Sequence, residues 1–294
     1  MSLFKKLSLS TFKLKIIACI LMTLDHIALL FIPGGLDGDY STLYYVLRAI
    51  GKISFPIFAF LAVEGVYHTK NIYKYCFRLF IFAIVLDAFG FIMGGITNIT
   101  IRSNPLIGNA FTDMLLGVIA VYFLKKKNWL SLLALLPITY SVFTCIDLGN
   151  DWGTLFKSDW GFFSMVLFIF LFIAKEGVLI YYRKQTGLKS FEKDEELSNL
   201  ILRYQKICES VALFTCEMIF YLVYRYSNFS TFVPGEFVPI GTFSVLAFVF
   251  YLLYNGEKGY SSKIIKYGFY CYYPLHLAIL GIISLYFGVL ASYL

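Results

Sequence analysis

The chain contains three histidines, and each lies within or beside a long apolar segment. His26 follows Asp25 inside one such run, His276 lies inside another, and His68 comes at the end of a third. A neutral imidazole can accept a proton near pH 7 and so act as a general base. An ionisable side chain is costly inside a bilayer, and one that is found there is a candidate for function. The three histidines are therefore the first candidates for chemistry.

His26 and His276 share a predicted membrane depth with other ionisable side chains. A helix rises about 1.5 Å per residue across a core about 30 Å thick, which places His26 about 18 Å and His276 about 13 Å from the inner face. The group at this depth comprises Asp25, His26, Arg48, Lys52, Asp87, Asp113 and His276. Arg48 and Lys52 share one helix face and need carboxylates or an anionic ligand nearby. The depths permit a single polar cavity, although a lone buried histidine is more often a hydrogen-bonding strut.

A second polar group lies where the second apolar segment ends. Glu64 and His68 are four residues apart on that segment. Three cations follow, namely Lys70, Lys74 and Arg78. Clustered cations bind phosphate groups, but they are also typical of the cytoplasmic ends of membrane helices. The sequence leaves both interpretations open, a patch that binds a phosphorylated cytosolic ligand and a topological anchor.

The segments that must position these side chains are long and apolar. Apolar residues make up 59% of the 294-residue chain and charged residues 15%, whereas about a quarter of a soluble domain is charged. A window of about 19 residues identifies nine segments. Their limits are 14–32, 43–66, 74–94, 106–124, 129–146, 160–182, 205–226, 238–254 and 267–291. The sequence therefore predicts an all-α polytopic membrane protein of about nine transmembrane helices, in one domain spanning residues 1–294.

The distribution of charge predicts the orientation of these helices. Most Lys and Arg residues are assigned to the N-terminal stretch, which includes Lys15, or to every second connection, with Lys175 in the sixth and Lys258 and Lys266 in the eighth. By the positive-inside rule, the N-terminus is predicted to be cytoplasmic and the C-terminus to lie outside. The same connections explain the net charge of +7, so no nucleic-acid partner is expected. The longest polar stretch, 184–206, is predicted to be a cytoplasmic loop or a surface helix that continues into the seventh segment.

Four stretches of the chain carry a family resemblance. Two are LKIIACILMTLDHIALLF at 14–31 and LRAIGKISFPIFAFLAVEGVYHTKNIYKYCFRL at 47–79. The other two are NAFTDMLLG at 109–117 and YPLHLAIL at 273–280. In this order they resemble the TraX family of multispanning membrane proteins, which is named for the F-pilin acetylation protein. The resemblance covers the first 120 residues and the last span, and the middle of the chain adds little to it.

This resemblance implies transfer of an acetyl group from acetyl-CoA to an acceptor amine, as for the N-terminus of pilin. The family is also distantly similar to other transmembrane acyltransferases, including the lysosomal heparan glucosaminide N-acetyltransferase. Those enzymes are thought to use an intramembrane histidine, with acyl-CoA entering from the cytosol and the acceptor from the opposite side. The resemblance therefore implies an acetyltransferase of the bacterial cytoplasmic membrane that depends on His26 and, less directly, on His276.

The polar groups can be assigned roles in such a reaction. A neutral His26 would accept the acceptor's proton, Lys52 or Arg48 would stabilise the oxyanion, and an aspartate would orient the imidazole. The predicted catalytic residues are His26, Asp25, Lys52 and His276, with Asp87 as the alternative orienting carboxylate. The predicted substrate-binding residues are Arg48, Asp87, Asp113 and Asn109, and the predicted contacts to acetyl-CoA are His68, Lys70, Lys74 and Arg78. The two groups are about 15 Å apart, which suits the pantetheine arm.

Two other functions would use the same features. A proton-coupled transporter would carry protons on the buried His and Asp side chains, but the internal repeats typical of transporters are not evident. A non-catalytic membrane assembly factor would need none of this chemistry. The predicted partners are acetyl-CoA, the lipid bilayer and an acceptor. The sequence leaves the acceptor open between a peptide N-terminus, an amino sugar, a glycan hydroxyl and a lipid. It also leaves open whether the protein forms a homo-oligomer. No metal is expected, because the six cysteines lack metal-type spacing.

Overall fold

The regular structure of the protein is helical throughout the residues that the computed structural model describes, which are 8–32, 41–97, 109–145, 158–188, 190–191, 194–226 and 241–287. The α-helices are α1 (Thr11–Phe31), α2 (Ser41–Lys52), α3 (Ser54–His68), α4 (Ile72–Thr97), α5 (Ala110–Leu124), α6 (Leu135–Cys145), α7 (Gly161–Thr186), α8 (Glu195–Tyr226), α9 (Phe248–Leu253) and α10 (Lys263–Tyr286). Two 3₁₀ helices, Trp129–Ala134 and Gly241–Ala247, lead into α6 and α9. One isolated backbone bridge joins Leu9 to Tyr254.

Six helical stretches of the described residues, one of them formed by α2 and α3 together, are long and apolar enough to cross a membrane. They are Thr11–Phe31, Thr42–His68, Ile72–Met93, Gly161–Thr186, Glu195–Tyr226 and Lys263–Tyr286. Three shorter apolar stretches are Ala110–Leu124, Trp129–Phe143 and Gly241–Leu253. Each of the nine predicted segments overlaps one of these stretches. The protein is thus an all-helical integral membrane protein, as predicted, while the number of crossings stays a prediction.

The core of the protein is built around α3. Most of this helix is buried, including the fully enclosed Ile57 and Val63. It packs against α1, α5 and α7, and the 3₁₀ helix before α9 also contacts it. Tyr251 of α9 stacks on Phe60, and its hydroxyl donates a hydrogen bond of 2.7 Å to the carbonyl of Pro56. Helix α3 therefore provides the wall against which the helices carrying the polar groups are placed.

The second predicted span is broken into α2 and α3 at Ile53. Pro56 explains the break, because a proline ring clashes with the carbonyl four residues earlier, here that of Lys52, and has no N–H to bond it. Just before the break, α2 crosses α1 very closely. A Cβ atom placed on Gly51 would lie 2.3 Å from the Cβ of Asp25, so only glycine permits this approach. The crossing brings Asp25 against α2.

The polar stretch 184–206 is divided between two helices. Helix α7 ends at Thr186, and Gly187 closes it with a φ of 69° and a bond from its N–H to the carbonyl of Arg183. Helix α8 begins at Glu195 and runs without a break to Tyr226. The helical part of the stretch therefore continues directly into the seventh predicted segment, and its cytoplasmic location stays a prediction.

The ends of the helices that carry most cations come together at one side of the protein. Backbone bonds join the start of α1 to the stretch before α10, from Thr11 to Glu257 at 2.9 Å and from Phe12 to Lys258 at 3.1 Å. We call this side, where α1 and α10 begin and α3 ends, the basic end. The predicted segments leave external loops at 33–42, 95–105, 147–159 and 227–237, and most residues of these loops lie outside the described residues. The predicted orientation therefore stays a prediction.

Candidate functional site

The two histidines that the sequence places at similar depths are in direct contact. His26 Nδ1 lies 2.7 Å from His276 Nε2, and the two ring centroids are 4.9 Å apart. Both residues are buried, with 9% and 7% of their surface exposed. The other ring nitrogen of His276, Nδ1, lies 2.9 Å from the carbonyl oxygen of Tyr272. A chain of two hydrogen bonds therefore runs from α1 to the backbone of α10, and we call these two residues the histidine pair.

Neighbouring side chains on α1 and α10 hold the histidine pair in register. Thr23 lies one turn before His26, and its hydroxyl is 2.6 Å from the hydroxyl of Tyr272. The Tyr272 ring stacks on His276 with centroids 5.1 Å apart, and the ring centroid of Tyr273 lies 5.5 Å from that of His276. Two hydroxyls and two aromatic rings thus limit the rotation and sliding of one helix against the other. The imidazole rings occupy defined positions.

Asp25 faces α2 and makes an ion pair there. Its Oδ2 accepts a hydrogen bond of 2.6 Å from Nη1 of Arg48, and both side chains are largely buried. Lys52, one turn further along α2, has its ammonium 5.0 Å from the ring centroid of Trp160. Both cations are close enough to His26 to act on it electrostatically. The sequence predicts Asp25 or Asp87 as the group that orients His26, whereas in the structure Nδ1 of His26 lies against the imidazole of His276.

Asp87 and Asn109 form a joint between α4 and α5. The amide of Asn109 donates to Asp87 Oδ1 at 2.9 Å and to the carbonyl of Ala83 at 2.8 Å. The Asn109 side-chain oxygen accepts from the N–H of Phe111 at 3.0 Å and so caps α5. These contacts give Asp87 and Asn109 a structural role. Their predicted role in substrate binding stays a prediction.

Asp113 holds the start of α7. Its carboxylate accepts from the Ser158 hydroxyl, from the Ser164 hydroxyl at 2.6 Å, and from the backbone N–H groups of Asp159 at 2.9 Å and Trp160 at 3.2 Å. Four donors fill most of the acceptor capacity of one carboxylate. The structure thus gives Asp113 a capping role at a helix N-terminus, and its contact with a substrate stays a prediction.

A cavity of about 360 Å³ opens at the basic end, between α1, α3, α4, α5 and α10. The charged residues of its lining, within the part of the chain that is described, are Lys15, Glu64, His68, Arg78, Lys258 and Lys266. Of the predicted contacts to acetyl-CoA, His68 and Arg78 line this basic cavity. Lys70 and Lys74 are exposed and lie outside its lining. The sequence had offered Lys15, Lys258 and Lys266 only as topological charges, and nothing in their spacing distinguished them.

The basic cavity has an excess of positive charge. Its carboxylate, Glu64, forms a buried ion pair with Lys175 and lies 3.4 Å from His68 Nε2. Two helices also begin here, capped by the hydroxyls of Ser10 on α1 and Ser262 on α10, and helix N-termini attract anions. Tyr254 also lies in the lining, and its hydroxyl is 3.4 Å from that of Thr11. These features suit an anionic ligand.

Arg78 is held between two aromatic rings at the cavity wall. Its guanidinium carbon lies 5.9 Å from the ring centroid of Tyr75 and 5.8 Å from that of Tyr270. Its buried Nε has no hydrogen-bond partner within the part of the chain that is described. Arginine presents a planar set of donors that matches phosphate oxygens. Arg78 is therefore positioned at the cavity wall, where its guanidinium can face an anion in the cavity.

An aromatic layer separates the basic cavity from the histidine pair. Phe111 lines the cavity, and its ring centroid lies 5.4 Å from that of Tyr273. The Tyr273 ring in turn lies 5.7 Å from that of His26. Neither histidine of the pair belongs to the cavity lining. The cavity and the pair are therefore neighbours along the same helices, with two rings between them.

Lys175 differs from the prediction, which counts it among the cations of the sixth loop. It lies inside α7 and is 4% exposed, and its ammonium pairs with Glu64 and lies 3.5 Å from the side-chain oxygen of Gln205. The next residue, Glu176, pairs with Lys127 and with Arg183 at 3.1 Å. The positive charge of Lys175 therefore pairs with a carboxylate inside the protein and does not mark a loop. The signal that could have revealed it is Glu64, a carboxylate in an apolar helix that needs a cation.

Comparison with known proteins identifies the family. No solved structure matches the chain. A curated relative, described as the probable fimbrial assembly protein FimC, serogroup H1, from Dichelobacter nodosus, is 25% identical over 281 residues, which cover 94% of this chain and 96% of the relative. The model of a family described as TraX protein matches residues 10–180, more than half of the chain. The resemblance carried by the sequence motifs is thereby confirmed, and the chain belongs to the TraX family.

Proposed function

We propose that the protein is an acetyltransferase of the bacterial cytoplasmic membrane. It takes an acetyl group from acetyl-CoA bound in the basic cavity and transfers it to an amine or hydroxyl acceptor that arrives from the opposite side. The observation that carries the proposal is that two helices, α1 and α10, contribute to both the basic cavity and the histidine pair. A binding site for phosphates and a candidate base are thereby aligned on a common path.

The spacing along α1 fits the size of the donor. Lys15 lines the cavity, and His26 lies eleven residues further on, which is three turns along the same helix face and about 16 Å. Along α10, Phe269 lines the cavity and His276 lies two turns beyond it. The phosphates of CoA would bind the cations at the basic end. The pantetheine arm would then extend between the two helices and bring the thioester towards the histidine pair.

The chemistry follows from the groups at the far end of that path. The acceptor N–H or O–H gives its proton to His26 as its lone pair attacks the thioester carbonyl. The negative charge on the carbonyl oxygen is stabilised by a fixed cation, a role that we assign to Lys52, because Arg48 is already paired with Asp25. When the tetrahedral adduct collapses, the carbon–sulfur bond breaks. The CoA sulfur leaves as a thiolate and takes up the proton.

The aromatic layer imposes one further requirement. Because Phe111 and Tyr273 lie between the cavity and His26, the thioester can reach the base only when at least one of these rings turns aside. Phe111 lines the cavity and is the ring that a ligand would meet first. Binding of the pantetheine arm is thus expected to displace it. Until then, the layer keeps cytosolic water from the histidine pair.

The decisive test compares two donors that share the thioester. Acetyl-CoA and acetyl-pantetheine, which lacks the nucleotide phosphates, are titrated into the protein in detergent, and free thiol is followed after an amine acceptor is added. We expect acetyl-CoA to bind more tightly, to raise the midpoint of thermal unfolding, and to release CoA. Equal affinity for the two donors would contradict the phosphate site, and absence of both binding and thiol release would contradict the enzyme.

A second candidate is a non-catalytic factor in pilus or fimbrial assembly, which the name of the Dichelobacter nodosus relative favours. Such a factor would need no thioester and no base. A protein that promotes assembly equally well with alanine at position 26 and shows no affinity for acetyl-CoA would support it. Loss of assembly in that variant, together with retained affinity for acetyl-CoA, would support the enzyme instead.

A further inference from the structure

We propose that His276 is a positioning residue, which holds His26 in the tautomer that carries hydrogen on Nδ1 and so makes Nε2 of His26 the basic atom. The part of this inference that concerns catalysis rests on the proposed acetyl transfer. The tautomer itself can be measured without any substrate.

The hydrogen-bond partners determine the tautomer of each ring. A backbone carbonyl only accepts hydrogen bonds, so Nδ1 of His276, 2.9 Å from the carbonyl of Tyr272, must carry hydrogen. A neutral imidazole has one N–H, which leaves Nε2 of His276 as an acceptor. The partner 2.7 Å away, Nδ1 of His26, must then be the donor. Neutral His26 is thereby left with an unprotonated Nε2.

The anchor for this arrangement is rigid. The Tyr272 carbonyl belongs to the same helix as His276, one turn earlier, so the acceptor cannot move independently of the ring that it orients. The Tyr272 ring stacks on His276, and its hydroxyl contacts Thr23 on α1. The direction of the hydrogen bonds is consequently set by backbone and packing. His26 receives its orientation from this fixed end.

His276 can do for His26 what a carboxylate does in a catalytic triad, where the acceptor at the far nitrogen fixes the tautomer and stabilises the imidazolium. When Nε2 of His26 takes a proton, Nδ1 still donates to His276, and the Tyr272 carbonyl dipole lies behind it. The charged groups that face His26 are Arg48 and Lys52 from α2, and Asp25 on α1 is paired with Arg48. A neutral acceptor adds no further charge to the membrane interior, where desolvation of a carboxylate is costly.

The first test is spectroscopic. The protein is labelled with ¹⁵N-histidine, and the tautomers are read from the ring-nitrogen shifts, which is practical because the chain has three histidines. His68→Gln identifies and removes the third set of signals. We expect His26 and His276 both to carry hydrogen on Nδ1 alone. A His26 that carries hydrogen on Nε2 overturns the proposal, whether or not the protein proves to be an enzyme.

The second test separates positioning from packing. His276→Phe keeps a flat ring but removes the acceptor, whereas His276→Gln can place its side-chain oxygen where Nε2 lies. We expect the phenylalanine variant to lose at least about 100-fold in kcat, by analogy with the loss of a tautomer-fixing carboxylate. Its KM for acetyl-CoA should not change, and the glutamine variant should recover most of the rate.

Two kinetic outcomes would overturn the positioning role. One is a His276→Phe variant as active as the wild type, and the other is a loss that appears in the KM for acetyl-CoA. If the unaltered protein releases no thiol while both Nδ1–H tautomers are seen, the proposed acetyl transfer fails and the assignment of the tautomers stands. Acetyl-CoA binding by each variant reports whether it is folded.

Discussion

The histidine pair and the basic cavity share two helices, α1 and α10, and satisfy their polar groups in opposite ways. At the histidine pair, hydrogen bonds within the protein run from His26 to His276 and from His276 to the backbone of α10. At the basic cavity, four cations of the described lining face one carboxylate, and that carboxylate is already paired with Lys175. The first region is complete without a ligand. The second has more cations than carboxylates in its described lining.

For the proposed acetyl transfer, this difference would assign binding of the donor to the cavity and catalysis to the histidine pair. A neutral pair can be sealed within the bilayer because it buries no permanent charge. An excess of cations is tolerated at the basic end because it opens to solvent and lies where two helices begin. The affinity for a charged donor should therefore depend on the cavity, and the rate of the reaction on the pair. Changes in either region should be separable.

The largest expected effect is at the pair itself. His26→Ala removes the proposed base, and we expect kcat to fall about 100- to 10,000-fold, the usual contribution of general base catalysis. The dissociation constant of acetyl-CoA should stay unchanged, because His26 does not line the basic cavity. Cys19→Ala is the matched control, a buried change two turns earlier on α1. If His26→Ala weakened donor binding and left kcat intact, the proposed division would be contradicted.

The next effect concerns the ion pair between Lys175 and Glu64, the carboxylate in the lining of the basic cavity. Lys175→Met removes the buried cation that pairs with Glu64 and leaves this carboxylate beside the exposed His68, and we expect the free energy of unfolding to fall by about 3–5 kcal/mol. The double variant Glu64→Gln with Lys175→Met removes both charges and should recover most of the loss. Equilibrium unfolding in mixed micelles measures both. If the single and double variants lost equal free energy of unfolding, the cost of burying the Glu64 charge would not depend on Lys175.

The fold could largely be anticipated from the sequence because the bilayer demands long apolar helices. Each of the nine hydrophobic segments overlaps a helical stretch of the described residues. The break between α2 and α3 was not anticipated, although Pro56 carries the signal through its clash with the carbonyl of Lys52. Hydropathy measures how apolar a segment is, and it contains no information about where a helix bends.

The site could be anticipated in part. Counting residues gives the depth of a side chain but not its direction around the helix axis, so His26 and His276 could be placed at one level and not in contact. The same limit left Asp25 and Asp87 as equal candidates beside His26, where the structure has His276. Lys175 was misplaced because positive charge near a helix end fits both topology and internal pairing. Which residues meet depends on helix rotation, which tertiary packing decides.

The smallest of these effects distinguishes cations that the sequence treats as equivalent. Arg78 and Lys74 lie one turn apart on α4, but Arg78 lines the basic cavity and Lys74 is exposed outside it. A hydrogen bond to a charged group contributes about 1.5–3 kcal/mol, so Arg78→Ala should weaken acetyl-CoA binding at least about tenfold while kcat at saturating donor is retained. Lys74→Ala should leave affinity unchanged. Since acetyl-pantetheine lacks the phosphates, its affinity should not respond to either substitution. Equal effects of the two alanines on acetyl-CoA would mean that diffuse positive charge, rather than the cavity, attracts the donor.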